Sequence, residues 1–158
     1  MERPPKSQLP NCAIYRTSRA IDDIPAEKLV YFHNHGDPGP GLYLPQKWVN
    51  NQAQFHERGS TLKDELLADS LEPLMPEGLY RVDHTFYCCK NNCVHFHVNQ
   101  LVQLGYNDKA IPLLFFPFWE NSELQFPTTG TRVDPENLQN LVLLTIPNKT
   151  PSDAPMLH

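Results

Sequence analysis

What the chain lacks narrows its possibilities first. No apolar run exceeds four residues, as in Leu113–Phe116, far below the ~20 needed for a membrane-spanning helix. The opening residues, MERPPKSQLP, hold no apolar core of the kind a secretory leader carries. No membrane association and a cytoplasmic location are the resulting expectations. Basic residues are also scarce: 13 Lys and Arg stand against 18 Asp and Glu, for a formal net charge of −5. Nucleic-acid affinity comes largely from cations that neutralise phosphates, so no nucleic-acid partner is expected. Glycine is sparse, and the one segment dense in it, GDPGPG at 36–41, has prolines where a phosphate-cradling loop needs backbone N–H donors. No complete catalytic or nucleotide-binding motif is present.

Proline, by contrast, is abundant. Its 16 occurrences in 158 residues are about twice the usual ~5%. Proline removes a backbone donor and breaks helices, so this composition favours short strands joined by turns. Apolar residues make up 40% of the chain, enough for a core. The length suits one ordinary domain or two very small ones.

The strongest signal is self-similarity. Residues 48–60 read WVNNQAQFHERGS, and residues 119–131 read WENSELQFPTTGT. Trp48, Asn50, Gln54, Phe55 and Gly59 recur as Trp119, Asn121, Gln125, Phe126 and Gly130, all offset by 71. Chance would give about one identity in thirteen positions. LVYF (29–32) and LYLP (42–45) correspond to LVQL (101–104) and LFFP (114–117), and the Tyr-Arg pair at 15–16 recurs at 80–81. Several matches in the same order point to duplication.

Each unit then reads alike: a short strand (AIYRT, GLYRV), a variable connection, an apolar strand, a turn, another apolar strand, and a Trp-x₆-Phe segment. A leucine-rich end follows, with one or two helical turns in DELLADSLEPL and DPENLQNLVLL. The Trp-x₆-Phe segment is ambiguous: Pro45 and Gly59 could bracket a helix, whereas WENSELQFP reads as a hairpin. A unit of this size buries only ~60% of its unfolded surface and is marginal alone. The expected fold is therefore mainly β. Two tandem duplicated units, barrel- or sandwich-like, pack with pseudo-two-fold symmetry. The boundaries are a flexible arm at 1–10, units at 11–76 and 77–147, and a tail at 148–158.

Three of the four cysteines fall in FYCCKNNCVHFH (86–97), inside the connection between the first two strands of the second unit. That connection is seven residues longer than its counterpart, so the scaffold does not require the cluster. Cys88, Cys89, Cys93, His95 and His97 supply candidate ligands for a zinc ion, which takes thiolate and imidazole tetrahedrally. Their spacing is no standard knuckle, and adjacent cysteines tend to point apart. The competing readings are a thiol nucleophile with a histidine base and simple packing of cysteine as a small apolar residue. Packing leads, so no cofactor is expected, with zinc as the alternative. His33 and His35 form a second His-x-His pair, yet the matching LGYND has no histidine, and Asp37-Pro38-Gly39 is ordinary turn chemistry.

The other difference between the units is PLLFFPFW (112–119), whose counterpart GLYLPQKW carries polar residues. Phe115, Phe116, Phe118 and Trp119 cover both faces of a strand. They are expected either to bury it between the halves or to present a patch to a protein partner or a second copy. The functional expectation is a non-enzymatic interaction or assembly module; the alternative is a small metal-dependent or thiol enzyme centred on residues 88–97.

Overall fold

A computed structural model describes residues 9–35 and 39–144. The expected tails and the Asp37-Pro38 turn lie almost wholly outside the described residues. Of the arm, Leu9 packs against the first core, and the Pro10 carbonyl accepts a hydrogen bond from Asn34 Nδ2 at 2.9 Å.

The first half holds strands β1 (Ala13–Thr17), β2 (Leu29–His33), β3 (Gly41–Tyr43), β4 (Pro45–Val49), β5 (Gln52–Phe55), β6 (Ser60–Thr61) and β7 (Leu71–Pro73). The second half holds β8 (Gly78–Val82), β9 (Phe86–Tyr87), β10 (His95–Phe96), β11 (Leu101–Tyr106) and β12 (Pro112–Phe115). It continues through β13 (Phe118–Glu120), β14 (Glu123–Gln125), β15 (Thr131–Arg132) and β16 (Leu141–Leu143). Two 3₁₀ turns, Glu65–Ser70 and Pro135–Asn140, bury Ala68 and Leu138, in the two places where leucine-rich helical turns are expected. Among the described residues no helix is long and apolar enough to cross a membrane.

The protein is mainly β, and neither large sheet closes into a barrel. One antiparallel sheet runs β6-β3-β2-β1-β7 and the other β15-β12-β11-β8-β16. Pairing matches position for position: Tyr15 faces Val30 where Tyr80 faces Val102, and Leu42 faces Ser60 where Leu114 faces Thr131. Each tyrosine hydroxyl donates to the carbonyl four residues back, Tyr15 to Asn11 and Tyr80 to Pro76. Alternating side chains fill two cores. Val30, Phe32, Leu42 and Leu71 pack in the first, and Tyr80, Val102, Leu104 and Leu114 in the second. Leu29 and Ala53 cross over, being buried in the second core although they belong to the first half.

Both Trp-x₆-Phe segments are hairpins, so the helix considered for the first does not form. The reason is the two-residue turn. Asn50 and Asn51 take φ of 52° and 67°, and Asn121 and Ser122 take 52° and 64°. Two successive positive φ values make the primed turn that fits strand twist, and asparagine tolerates that region best after glycine. Trp48 and Trp119 precede their turns at equivalent positions but are 38% and 71% exposed, where burial is the expectation for a repeated tryptophan. Gly59 and Gly130 make room for close neighbours: a Cβ at Gly130 would lie 2.7 Å from Phe115 Cε2, and one at Gly59 would collide with the Leu42 carbonyl oxygen and lie 2.8 Å from Tyr43 Cδ2.

The two hairpins differ in where they lie. Hairpin β4–β5 rests on β11. A Cβ at Gly105 would collide with the Asn51 carbonyl oxygen. Asn51 Nδ2 donates to Gln103 Oε1 (2.9 Å) and to the Pro127 carbonyl (2.8 Å), while Gln103 Nε2 donates to the Asn50 carbonyl (2.8 Å). Trp48 Nε1 donates to the Tyr106 carbonyl at 2.7 Å. Hairpin β13–β14 has no such bed: Phe118 and Trp119 stand exposed. Among the described residues no hydrogen bond seats β13–β14 on the first sheet as β4–β5 is seated on β11.

Gly105→Ala should lower stability by about 1–3 kcal/mol, the usual cost of overpacking, read by chemical denaturation. Gly39→Ala, whose added Cβ would meet only Thr61 Cγ2 at 3.7 Å, is the control. Equal stability of the two variants would contradict the seating of the hairpin on β11.

Candidate functional site

The segment 86–97 forms a small hairpin, β9–β10, projecting from the second sheet, with the cysteines at its tip. In the first sheet the same connection is reduced to one bridge, Ile21 to Ile24. Cys88 is buried in the second core, Cys89 half-buried and Cys93 exposed. The Cys88 thiol lies 3.6 Å from Cys89 Sγ and accepts from the Val94 N–H at 3.3 Å. His95 points elsewhere, stacked on Tyr87 at 4.5 Å and against His97 at 4.0 Å between ring centroids. No three ligand atoms of Cys88, Cys89, Cys93, His95 and His97 come within 4.8 Å of one another. The thiols form one group and the imidazoles another.

Within that tip the cysteines differ in acidity. A hydrogen bond from the Asn91 backbone, then one from the Cys88 thiol, holds the Cys89 thiol below its usual range. Cys93 is pushed up, first by the neighbouring charge of Cys89 and then by desolvation. Reactivity follows the thiolate. Limiting iodoacetamide at neutral pH should therefore modify Cys89 before the more exposed Cys93, as mapped by peptide mass spectrometry; the reverse order would refute this assignment.

The aromatic run is not one strand. Pro117 separates β12 from β13, so Phe115 is buried and Phe116 stacks on Phe96 at 5.1 Å, whereas Phe118 and Trp119 belong to the exposed hairpin. Of the four residues expected to bind a partner, two are occupied by the core and two remain free.

The structure adds Cys12 to the His33 and His35 pair seen in the sequence. Pairing of Ala13 with Phe32 sets Cys12, just before β1, beside the end of β2. Cys12 Sγ lies 3.6 Å from His33 Nδ1, 3.5 Å from His35 Nδ1 and 3.4 Å from Asn34 Oδ1, and it accepts from the Asn34 N–H at 3.3 Å. The two imidazole rings sit 4.3 Å apart. Among the described residues this is the group of metal-ligating side chains whose donor atoms all lie within 4.8 Å of one another. The signal was His-x-His at a strand end beside a cysteine on the adjoining strand. Beside it, Tyr31, His33, Tyr43, Phe55 and His56 line a shallow groove of about 360 Å³.

The second sheet uses the equivalent positions to hold the hairpin. Glu77 stands where Cys12 does, Gly105 where His33 does, and Tyr106 where Asn34 does. The Glu77 carboxylate accepts from the Ala53 N–H of β5 at 3.1 and 3.3 Å. A larger cavity of about 600 Å³ lies between the halves, but its charged lining includes Arg16, which is paired with Glu72 and Glu27. No family model, curated protein or solved structure matches the chain.

Burial raises the Glu77 carboxyl above its usual range, against the opposing pull of the Ala53 and Tyr106 backbone hydrogen bonds. A raised folded pKa contributes stability fully below the unfolded carboxyl value, and that contribution is lost as pH rises through the folded value. Glu77→Gln keeps an acceptor oxygen and removes the titration. Denaturation between about pH 4 and neutrality should show a shallower decline for the variant than for the wild type. Parallel curves would show that the carboxyl is not desolvated by the hairpin.

Proposed function

We propose that the protein is a non-enzymatic interaction or assembly module, with hairpin β13–β14 as the element that binds a protein partner. One observation carries this reading: of two hairpins with the same turn geometry and a tryptophan at the same place, one is seated and the other is bare. An exposed tryptophan and phenylalanine side by side are the kind of anchor that interface cores favour. The seated hairpin indicates what the free one would accept. A partner offers a strand with a gap at one residue, so that the turn can approach, and a carbonyl for the indole N–H.

The reading treats the halves, 11–76 and 77–147, as products of duplication. It is supported by the repeated residues and by the shared strand order and register. The hairpin β13–β14 is then a second copy of an element whose first copy already makes a protein contact. The larger part of the aromatic stretch 112–119 belongs to the core, and recognition falls to Phe118 and Trp119.

The test separates folding from binding. Phe118→Lys and Trp119→Glu, at 44% and 71% exposure, should change stability by no more than about 0.5 kcal/mol, as surface substitutions do. Trp48→Glu should destabilise the fold, because it removes the bond to Tyr106. A photo-crosslinking residue at 119 should give an adduct with a second copy in purified protein or with another protein in extract, and Phe118→Lys should abolish it. An unstable Trp119→Glu variant, or no adduct under either condition, would sink the proposal.

A further inference from the structure

We infer that Cys12, His33 and His35 form a binding site for a divalent transition-metal ion, zinc being the best match to one thiolate and two imidazoles. The geometry carries the argument. Zinc–sulfur and zinc–nitrogen bonds of about 2.3 and 2.0–2.1 Å at a tetrahedral angle place sulfur and nitrogen about 3.6 Å apart. The observed separations are 3.6 and 3.5 Å. Both sulfur–nitrogen separations thus match those a single ion would set, and all three donor atoms lie within 4.8 Å of one another.

In the metal-free protein hydrogen bonds hold the group, and the convergence of donor atoms on one point is what suits an ion. A thiol has one proton to donate, yet two ring nitrogens and the Asn34 amide oxygen converge on Cys12. The orientation of that amide is fixed, because Asn34 Nδ2 donates to the Pro10 carbonyl. Oδ1 therefore faces the cluster and accepts from His35 Nδ1 at 2.7 Å; that ring proton must leave, and the amide draw back, for Nδ1 to bind an ion. An ion would satisfy the sulfur and both nitrogens at once, and the thiol proton would leave as it bound. The Asn34 N–H to Cys12 supplies the outer hydrogen bond that metal ligands commonly have. With three protein ligands a fourth position stays open. His33 also lines the groove of Tyr31, Tyr43 and His56, and its counterpart Gly105 in the second sheet is covered by hairpin β4–β5. The first sheet carries a ligand set where the second has a docked hairpin.

The site is independent of the interaction proposed for β13–β14. Its test uses the full chain, stripped with chelator and titrated with zinc against a competing indicator, and with cobalt as an optical stand-in. One equivalent should bind, and cobalt should give a thiolate charge-transfer band. Cys12→Ser should abolish the band, and His33→Ala and His35→Ala should each weaken zinc binding at least about tenfold, with circular dichroism confirming that each variant is folded. The Cys88, Cys89 and Cys93 triple serine variant should bind as the wild type does. Without any substitution, zinc should also protect Cys12 from alkylation in peptide maps. A band that survives Cys12→Ser but disappears in the triple variant would move the site to the β9–β10 tip and overturn the assignment. Failure to bind zinc or to protect Cys12 would overturn it outright.

Discussion

Hairpin β4–β5 can lie on β11 only because Gly105 presents a hydrogen where any other residue would present a carbon. From that one allowance the organisation of the second half follows. The turn comes close enough for Asn51 and Gln103 to exchange amide hydrogen bonds, so a glutamine can be buried at 3% exposure with both ends of its amide satisfied. Strand β11 is thereby covered on both faces, by the core on one side and by the hairpin on the other. The cover desolvates Glu77 and gives it the Ala53 N–H in return. Removing one member of the amide exchange would leave a buried donor or acceptor without a partner, a loss on the order of 1–3 kcal/mol.

In the first sheet the same lattice of strands carries different chemistry on the corresponding face. Tyr31 and His33 replace Gln103 and Gly105; Phe55 at the end of β5 packs on the Tyr31 ring at 5.8 Å, but among the described residues no hairpin turn closes over His33 as one does over Gly105. The space left open is lined by rings, and its end is occupied by Cys12, His33 and His35. The change from glycine to histidine both bars a close backbone approach and supplies a ligand. A packed hairpin and a metal-ligating side chain thus exclude each other at this position.

The strands were largely legible in the sequence because they are short, apolar and bounded by turn residues, and because each appears twice. AIYRT and GLYRV form strands as quoted, and both leucine-rich ends form 3₁₀ turns. The repeat also pointed to the hairpins, although WVNNQAQF alone, without glycine at its turn, did not distinguish a helix from a primed turn. What could not be read was which of two like surfaces is covered. Trp48 and Trp119 occupy the same local frame, and their different exposure arises from Gly105 and Gln103, more than fifty residues from Trp48. Cys12 was hidden for the same reason. It stands far from the other cysteines in the chain and meets His33 and His35 only through the pairing of β1 with β2, whereas the conspicuous cluster at 88–97 divides between the core, a solvent-facing turn and two imidazoles set edge to face.

The side chain at position 33 has one more effect, on growth. A head-to-tail contact whose donor and acceptor surfaces lie on opposite ends of one molecule tends to repeat, and if the rotation does not close, it yields a filament. Here the donor end, β13–β14, is free, but the acceptor end of a neighbouring copy would meet His33 where β11 offers Gly105. A second copy held by β13–β14 would therefore be held through a contact different from the one made inside the molecule. That internal contact, made with the same chemistry, needs a surface that offers a glycine where this chain offers His33.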